Sequence, residues 1–578
     1  NNFSPRETTI KRFQFIDNQT VLFGNHTFKY GADLLFDKIF NFFPGLFSGS
    51  YSFNGGYTQL SNYLNGTAVP SLYRQSFAGT GTSGAETHPN NKEYGFFVQD
   101  DWRVTPKFTL NLGLRYDYQE IAKPPITNSL PATIQSPTDF NTRTTATLLD
   151  FGYDTGFQPK DKNNFGPRIG MSYAFNDRTV IRGGYGIYYG RTPAIMTGTA
   201  HSQNGIQVVA ISITCGTTAP NICPTYPNVF ASIPVGANKP PASLYLFDKD
   251  YKQPYTHQAR LQFEREVFKN TVFSVQYMMY RGVDLGRTRN VNLFAPVPVT
   301  VGGQTFLRFQ TEREKFGDAV TNNSNNRFRP FRDYDRINLY ESSSKSFYQG
   351  LSFEFNRRFA NHWQFNTNYT LSKAKDDKPD QTSVVPGADD AKLAENQFDL
   401  TGEYGRSDLD VRHRFIFSPV YETGTFKYSD NKFVRALLSD YIFTGIFTAQ
   451  SGIAYSALVS GDPNGDGVSA TDRVPGTKRN QFSTPAAYIV DMRIGRIIRF
   501  GERFRLSLFA EGFNIFNRAN VQQVNNNAFS ATIANGRLTG IAPVSNFQTP
   551  RTFFSGSPSF TFNSSYNREF QLGIRFDF

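Results

Sequence analysis

The last ten residues of the chain, 569–578, alternate strictly between two kinds of side chain. One set is apolar and consists of Phe570, Leu572, Ile574, Phe576 and Phe578. The other set is polar or small and carries charge up to the end of the chain. Such period-2 patterning is typical of a β-strand whose two faces meet different surroundings. It predicts a strand that is apolar outside and wet inside, as in the wall of a β-barrel in lipid.

The same alternation recurs along the chain in seven predicted hairpins. These are 12–24 with 26–38, 93–104 with 107–119, 168–175 with 179–190, 258–268 with 271–282, 348–359 with 363–373, 412–422 with 437–450, and 487–499 with 504–516. With the final strand they make fifteen strands. Most connections within a hairpin are short, whereas those between hairpins are long and rich in Asn, Gly, Ser, Thr and Pro. This arrangement predicts short periplasmic turns and long extracellular loops.

The predicted fold is therefore all-β: a transmembrane antiparallel up-and-down β-barrel. No linker or shift in composition divides the 578 residues, which predicts a single barrel domain over 1–578. No run of about 18 apolar residues occurs, so transmembrane helices are not expected. Aromatic residues make up 16% of the chain, which suits a lipid-facing belt around a polar interior.

The number of strands leads to a further expectation. If the last strand ends in the periplasm and every short turn is periplasmic, the first strand starts at the outer surface. Bacterial single-chain barrels have an even number of strands, so fifteen strands with an external start predict the C-terminal part of a longer protein. A count that is wrong by one strand is the alternative. The first residues do not have the pattern of a signal peptide.

Five stretches resemble the barrel of TonB-dependent transporters, and within them the Oar-like group. They are EYGFFVQDDWRVTPKFTLNLGLRYDY (93–118), NNFGPRIGMSYAF (163–175), GRSDLDVRHRFIFSPVYE (405–422), FAEGFNIFNRANV (509–521) and QLGIRFDF (571–578). The resemblance implies a barrel of 22 strands, of which about fifteen are visible here, with a lumen closed by an N-terminal plug. Seven strands, the plug and the segment that contacts TonB are then expected upstream of Asn1. The aromatic last strand also resembles the signal that the barrel-assembly machinery reads.

Charge and motifs exclude two other classes of protein. The net charge of +12 does not indicate nucleic-acid binding, because Lys and Arg are scattered among Asp and Glu and form no basic run. No nucleophile elbow, HExxH motif or phosphate-binding loop occurs, so no enzyme activity is predicted. The expected partners are outer-membrane lipid, TonB through the upstream segment, the barrel-assembly machinery, and a small solute, peptide or glycan.

The polar faces of the predicted strands are the first candidate functional surface. The charged residues predicted to face the lumen are Arg115, Asp117, Arg168, Arg182, Arg260, Glu264, Glu354, Arg358, Asp491, Arg493, Arg505, Glu511, Arg575 and Asp577. Their mixed signs predict ion pairs that contact a plug and line a wet path, since unpaired charges are costly in a wall of low dielectric constant. Salt bridges without a role in transport are the alternative and the favoured interpretation.

A second candidate site is the stretch GDPNGDGVSATDR, residues 461–473, in a predicted outer loop. Its candidate metal ligands are Asp462, Asn464, Asp466 and Asp472. The alternation of short oxygen-bearing side chains before a glycine resembles the start of an EF-hand-type calcium loop. The twelfth position departs from that pattern, because it is Arg473 instead of a bidentate acid. Side chains of these types also favour turns without any metal, and no other cofactor is predicted.

Two further groups of residues have predicted roles. Cys215 and Cys223 lie in one short stretch without a nearby His, which predicts a local disulfide in an oxidising compartment and not a metal site. Aromatic residues near strand ends are predicted to form girdles at the membrane interfaces. They are Trp102, Tyr116, Tyr118, Tyr188, Tyr189, Trp363, Tyr421 and Tyr488. The loop residues Tyr51, Tyr57 and Tyr63 are candidates for contacting a solute, although loop packing is the favoured interpretation.

Together these features predict an outer-membrane transporter of a Gram-negative bacterium. It would take up a scarce solute through the lumen when TonB acts on the upstream plug, and the loops do not identify the solute. The alternative is a surface protein whose barrel anchors large loops for adhesion or export. A soluble β-sandwich is excluded, because charged residues would face its core while Phe and Tyr would face water.

Overall fold

A computed structural model gives the fold. It describes residues 6–53, 61, 64–65, 70–129, 131–216, 222–318, 328–377, 393–428, 430–468, 470–501, 504–554 and 567–578. The largest sheet has 18 strands, and all but three short ones form a continuous wall. The wall strands are β1 (Glu7–Phe23), β2 (His26–Phe42), β3 (Asn91–Thr105), β4 (Phe108–Ile121), β5 (Phe165–Asn176), β6 (Thr179–Tyr189), β7 (Tyr255–Phe268), β8 (Thr271–Asn290), β9 (Tyr334–Ala360), β10 (Trp363–Asp376), β11 (His413–Glu422), β12 (Tyr441–Gln450), β13 (Ala487–Phe500), β14 (Phe504–Phe513) and β15 (Glu569–Asp577).

The wall strands pair strictly in chain order, each antiparallel to the next. This pairing satisfies the backbone donors and acceptors of the inner strands from their neighbours, which is the condition for strands to cross lipid. Within the described residues, no pairing joins β1 to β15. The prediction of an all-β, up-and-down antiparallel wall is confirmed, and its fifteen strands match the predicted number.

The alternation of side chains gives the wall an apolar face and a polar face. Along β4, Leu112 and Leu114 are 41% and 43% exposed although their strand has neighbours on both sides. Their partners on β5 are Ile169 and Pro167, which continue the apolar face. A continuous sheet face of exposed, large apolar side chains indicates contact with lipid, because contact with water would be unfavourable.

One predicted strand boundary is wrong because a helix intervenes. The predicted segment 437–450 begins too early, since Lys432–Leu438 is helical and β12 starts only at Tyr441. The Asn431 side chain caps this helix by accepting hydrogen bonds from the amides of the second and third residues after it. Side-chain capping of free amides is a local signal for a helix start, and strand alternation does not reveal it.

Other predicted strands differ from the observed ones in length. The predicted segment 504–516 ends too late, because β14 stops at Phe513 and Asn514 adopts a positive φ of 47°. The predicted segments 271–282 and 348–359 are too short, since β8 continues to Asn290 and β9 begins at Tyr334. About ten residues suffice to cross a bilayer as a strand. The additional residues of β8 and β9 therefore extend beyond the lipid.

The long connections build a layer of short elements at one end of the wall, which we call the outer loop layer. Its strands are Ser50–Ser52, Leu72–Ala78, Glu86–Thr87, Pro131–Gln135, Arg143–Thr147, Val208–Thr214, Ala242–Phe247, Val297–Val301, Gln304–Arg308, Gly405–Arg406, Ala454–Tyr455, Leu458–Ser460, Phe482–Ser483, Val521–Val524, Asn527–Ala534, Arg537–Pro543 and Pro550–Phe553. Its helical segments are Leu148–Phe151, Ala194–Ser202, Glu312–Phe316 and Thr401–Glu403. Among the described residues, no helix has both the length and the apolar character needed to cross a membrane.

The outer loop layer has several small hydrophobic cores of its own. One contains Leu148, Leu244 and Ile337, each with no measurable exposure. Another surrounds the fully buried Tyr73 and includes residues of the strands Leu72–Ala78 and Val208–Thr214. Each core joins segments that are far apart in the sequence, so the loops are packed against one another instead of extending singly into solvent.

The buried side chain of His201 makes part of this layer sensitive to acid. Burial lowers its pKa to about 4, although the hydrogen bond that its Nε2 donates to the Ala122 carbonyl favours the charged form. The unfolded chain takes up a proton on this residue near pH 6.5. The contribution of His201 to stability is therefore complete above about pH 6.5 and falls as the pH is lowered towards about 4.

We expect the amides of the helix Ala194–Ser202 to lose hydrogen-exchange protection as the pH falls from about 6.5 to about 4, after correction for intrinsic exchange. The variant His201→Gln keeps an N–H donor for the Ala122 carbonyl but does not titrate, so its protection should depend much less on pH. Equal pH dependence in the two proteins would contradict the assignment.

Candidate functional site

The register of the wall places thirteen of the fourteen predicted lumen-facing residues on one face of the sheet, whereas Arg358 lies in a register shift between Arg357 and Ala360. Residues directly opposite each other in neighbouring strands share a face, and residues two apart in one strand do so as well. Applied strand by strand from β4 to β15, these rules assign the polar residues of each strand to the same face of the sheet. For example, Arg260 lies opposite Gly184, and Glu511 lies between Arg493 and Gln571.

Ion pairs connect many of these residues. The pairs are Arg115 with Asp117 at 2.9 Å, Arg182 with Glu264 at 3.3 Å, Arg493 with Glu511 at 3.0 Å, and Arg575 with Asp577 at 2.8 Å. Glu354 accepts hydrogen bonds from the Ser274 hydroxyl and the Asn368 amide, and the Asp491 carboxylate accepts one from the Asn514 backbone amide at 2.8 Å. Arg505 lies opposite Asp577 in the register, and Arg358 follows Glu354 on the same strand. Opposite charges thus pair along much of the polar face.

A recess of about 500 Å³ opens on the polar face where β4 to β8 run side by side. Arg168, Arg182 and Arg260 line it, together with Gln, Asn and Gly residues. The guanidinium of Arg168 lies 4.5 Å from the centre of the Tyr188 ring, and its Nε makes no hydrogen bond within the described residues. Arg182 has a carboxylate partner, whereas Arg260 donates to the neutral Gln262 at 2.6 Å. With three arginines in its lining, this recess is a cationic part of the polar face.

Glycines on neighbouring strands make room for these long side chains. Gly186 lies opposite Arg168 in the register, and Gly184 lies opposite Gly170 and Arg260. A Cβ atom at Gly186 would approach the Arg168 Cγ atom to 3.1 Å and the Tyr188 ring to 3.0 Å. The absence of a side chain at this position therefore allows the Arg168 guanidinium to lie flat on the wall.

The prediction that Tyr188 belongs to an aromatic girdle is wrong, because its ring stacks with Arg168. Tyr188 lies on the polar face, where it contacts Arg168. The next residue, Tyr189, lies on the apolar face opposite Tyr255. The other predicted girdle residues alternate with polar-face residues and so lie on the apolar face: Trp102, Tyr116, Tyr118, Trp363, Tyr421 and Tyr488. The sequence did not separate Tyr188 from Tyr189 because two adjacent aromatic residues fit either phase of the alternation.

Adjacent glycines on β6 allow a direct test of the two faces. Gly184 lies on the polar face, whereas Gly183 lies between Met171 and Leu261 on the apolar face. The two cysteines of these 578 residues form a disulfide, so an introduced cysteine is the only free thiol in this part of the protein. In outer-membrane fragments, Gly184→Cys should react with a charged methanethiosulfonate at least about tenfold faster than Gly183→Cys, because the reactive thiolate forms in water and not in lipid. Equal labelling rates would contradict the assigned faces.

The outer loop layer contains a network of buried ion pairs that sequence analysis missed. Arg473 donates to Glu403 at 2.9 and 3.1 Å and also pairs with Glu395. Arg479 contacts Asp376 at 2.6 Å, and Arg308 is 2% exposed. Arg473 and Arg479 connect the segments around positions 376, 395–403 and 473–479, whereas Arg308 donates to the carbonyls of Pro463 and Gly536. No signal in the sequence reveals such pairs, because loop residues have no periodicity and the partners are tens of residues apart.

Three further ion pairs of the wall were not among the predicted residues. They are Arg12 with Asp37 at 2.8 Å, Lys29 with Asp101 at 2.7 Å, and Arg191 with Glu93 at 2.7 Å. Lys29 lies opposite Gln99 and Asp101 lies opposite Thr27, so Lys29 and Asp101 are diagonal neighbours on the polar face. The same alternation that identified the fourteen residues could have found Lys29 and Asp101.

The predicted calcium loop lies in the outer loop layer, with most of its residues buried. Asn464, Asp466 and Asp472 are 4%, 1% and 1% exposed. The Asp462 carboxylate accepts hydrogen bonds from the Gly467 amide at 3.1 and 3.2 Å, and the Asn464 side-chain oxygen accepts one from the Asp466 amide. In the described part of the chain, no three His, Cys, Asp or Glu side chains form a ready-made metal-binding group.

The cysteines and the loop tyrosine are part of the loop packing. Cys215 and Cys223 form a disulfide beside the hydrophobic core around Tyr73. The Tyr51 hydroxyl donates hydrogen bonds to the carbonyls of Pro224 and Asn228, and its ring centre lies 4.7 Å from that of Tyr73. Tyr57 and Tyr63, the other two candidates for solute contact, lie outside the described residues.

Glu403 offers a test of the buried network. It is 1% exposed, and it also accepts a hydrogen bond from the Glu395 amide at 3.0 Å. The isosteric change Glu403→Gln leaves the buried Arg473 with one fewer negative partner, which typically costs about 3–5 kcal/mol for a buried pair. We expect trypsin to cleave the outer loops of this variant faster while the wall keeps its heat-modifiable migration on a gel.

The control is Asp399→Asn, because Asp399 is exposed and accepts local hydrogen bonds from Thr401. Equal cleavage of both variants would contradict a stabilising role for Glu403.

With this geometry established, comparison with known proteins identifies the family. The family model "Outer membrane beta barrel domain" matches residues 1–478. The chain therefore belongs to the family of outer-membrane β-barrel domains. The predicted fold class and the predicted location in the outer membrane are confirmed.

Individual relatives agree with this assignment. The TonB-dependent transporter Oar of Myxococcus xanthus is 32% identical over 130 residues, which are 20% of this chain and 11% of Oar. This match confirms the resemblance to the Oar-like group. The outer-membrane transporter YddB from Escherichia coli aligns over 99% of this chain and 54% of YddB, with 12% identity and a TM-score of 0.52.

A second solved structure, the FrpB iron transporter from Neisseria meningitidis, aligns over 98% of this chain and 55% of FrpB, with 11% identity and a TM-score of 0.45. The chain thus spans about half the length of the two solved transporters, YddB and FrpB. At 12% identity, the likeness to YddB concerns the fold alone.

Proposed function

We propose that this chain forms the barrel wall of a TonB-dependent receptor that takes up a scarce solute across the outer membrane. The observation that carries the proposal is the polar face, on which charged side chains of both signs continue from β4 to β15 opposite a lipid-facing apolar side. A face of this kind suits contact with water and with a polar plug, because the ion pairs keep its charges compensated. The name of the relative Oar supports the same proposal.

Energy coupling would come from TonB acting through a plug and a TonB-contacting segment outside the fifteen strands. The solute would be captured at the outer loop layer and would pass along the polar face. The cationic recess around Arg168 favours solutes or plug side chains that bear carboxylate, phosphate or other oxygen acceptors, since arginine donates several hydrogen bonds in a fixed plane.

Assembly of the wall would begin at its last strand. Phe570, Leu572 and Ile574 are 69%, 85% and 76% exposed, and Phe576 and Phe578 continue the same apolar series. We propose that this face of β15 is what the barrel-assembly machinery recognises. The exposed apolar row gives a binding surface before the strand meets lipid.

The alternative function is an outer-membrane anchor that displays its loops for adhesion or export. The size of the outer loop layer and its separate hydrophobic cores favour this alternative. The two functions differ in their need for energy, because display of loops requires no TonB.

Uptake in cells distinguishes the two functions. In a strain that lacks the gene, restoring the complete gene should restore accumulation of at least one labelled solute among ferric siderophores, cobalamin, glycans and peptides. That accumulation should disappear when TonB is deleted or a protonophore is added, since the outer membrane has no energy source of its own. Restored surface adhesion without any TonB-dependent accumulation would support the anchor and contradict the uptake function.

A further inference from the structure

The loop 461–473, between β12 and β13, buries acidic side chains to an unusual degree. Asp466 and Asp472 are each 1% exposed, and they lie in the outer loop layer, outside the wall. Asp and Glu are almost never fully buried unless they are paired or bind a metal. The groups that contact these two carboxylates therefore indicate the role of the loop.

Asp472 has no such partner in the described part of the chain. Neither of its carboxylate oxygens makes a hydrogen bond with any group in the described residues. Its charged neighbours are the acids Asp466, Asp462 and Glu395. A buried carboxylate that faces other acids requires either a proton or a cation.

The cationic side chains around the loop are occupied elsewhere. The Arg473 guanidinium pairs with Glu403 and Glu395. Arg308 donates to the Pro463 carbonyl at 2.8 Å, and Arg336 donates to the Gly467 carbonyl at 2.8 Å. These arginines hold the main chain of the loop in place and leave the Asp472 carboxylate without a hydrogen bond.

Oxygen-bearing side chains of two kinds, carboxylate and amide, belong to the same short segment. Asp462, Asn464 and Asp466 alternate along the chain, and each side chain accepts a hydrogen bond from a later amide of the loop. Among the described residues, no three acidic, His or Cys side chains are arranged to hold a metal ion. The shell of an ion here would therefore include the Asn464 amide oxygen, main-chain carbonyls and water, which is a mixture that Ca²⁺ accepts readily.

We propose that the loop 461–473 binds Ca²⁺ through the Asp466 and Asp472 carboxylates and the Asn464 side-chain oxygen, while Asp462 closes the loop by accepting hydrogen bonds from the Gly467 amide. Asp472 takes the place of the acid that a calcium loop normally has at its twelfth position, where this chain has Arg473. Mg²⁺ suits the site less well, because it requires a small and nearly ideal octahedral shell. This site goes beyond the uptake function and does not depend on it.

Calcium would connect two parts of the outer loop layer. The Asn464 side-chain amide donates to the Glu395 carbonyl at 3.2 Å, and Gln397 donates to the Asp466 carboxylate at 3.3 Å. An ion held by the loop 461–473 would thus also fix the segment 393–403. Sites in extracellular proteins function with a Kd on the order of 10⁻⁴ to 10⁻³ M, so the site can respond to calcium outside the cell.

The test uses the complete gene product in detergent, stripped with a chelator and then titrated with Ca²⁺ alone or with Mg²⁺ alone. Calorimetry should show Ca²⁺ binding that Asp472→Asn loses, and hydrogen exchange in 461–473 and 393–403 should slow with Ca²⁺ and not with Mg²⁺. The matched control Asp399→Asn removes an exposed acid and should keep the full response to Ca²⁺. Heat-modifiable gel migration verifies that each variant is folded.

Three results would overturn the proposal. Exchange in the natural protein that is the same with Ca²⁺ and with chelator would exclude a calcium site in this loop. An Asp472→Asn variant with an undiminished response would place the calcium elsewhere. Slower exchange in Asp472→Asn than in the natural protein, both with and without Ca²⁺, would show that Asp472 is a buried acid that holds a proton.

Discussion

Backbone hydrogen bonding inside lipid is the constraint on which this structure depends. Lipid offers no donors or acceptors, so each strand that crosses it must find its partners in its neighbours. Pairing in strict chain order achieves this with short turns on one side, and it leaves the long connections on the other side. The two faces of the wall then differ in chemistry, since every second side chain meets lipid and the others do not.

Sequence alone predicts the wall well because the wall is periodic. Alternation found all fifteen strands and placed Arg115, Glu354 and Arg575 on a common face, and it went wrong where a capped helix preceded β12. The outer loop layer has no period, so its contacts were not predictable. Arg473 and Glu403 are 70 positions apart and meet only because the loops fold together. The alternating oxygens from Asp462 to Asp466 were visible in the sequence, whereas the burial of Asp472 was not.

The wall and the outer loop layer use charge in opposite ways. On the polar face, pairs such as Arg493 with Glu511 are partly exposed, with 45% and 17% of their side chains accessible. Pairs in such surroundings contribute little to stability. Their role is to keep the polar face hydrated and its charges partly compensated. In the loops, Arg308 and Arg473 are buried and bond to main-chain carbonyls or carboxylates of other loops. There the charges determine which loops stay together.

The separate hydrophobic cores of the outer loop layer have a consequence for how this surface can change over generations. Tyr73 belongs to one core and Leu148 to another, and each core has its own set of neighbouring segments. A substitution that loosens one core leaves the contacts within the others in place. The outer surface can therefore acquire new shapes piece by piece, under selection by phages, antibodies or new nutrients, while the wall beneath it continues to be inserted in the same way.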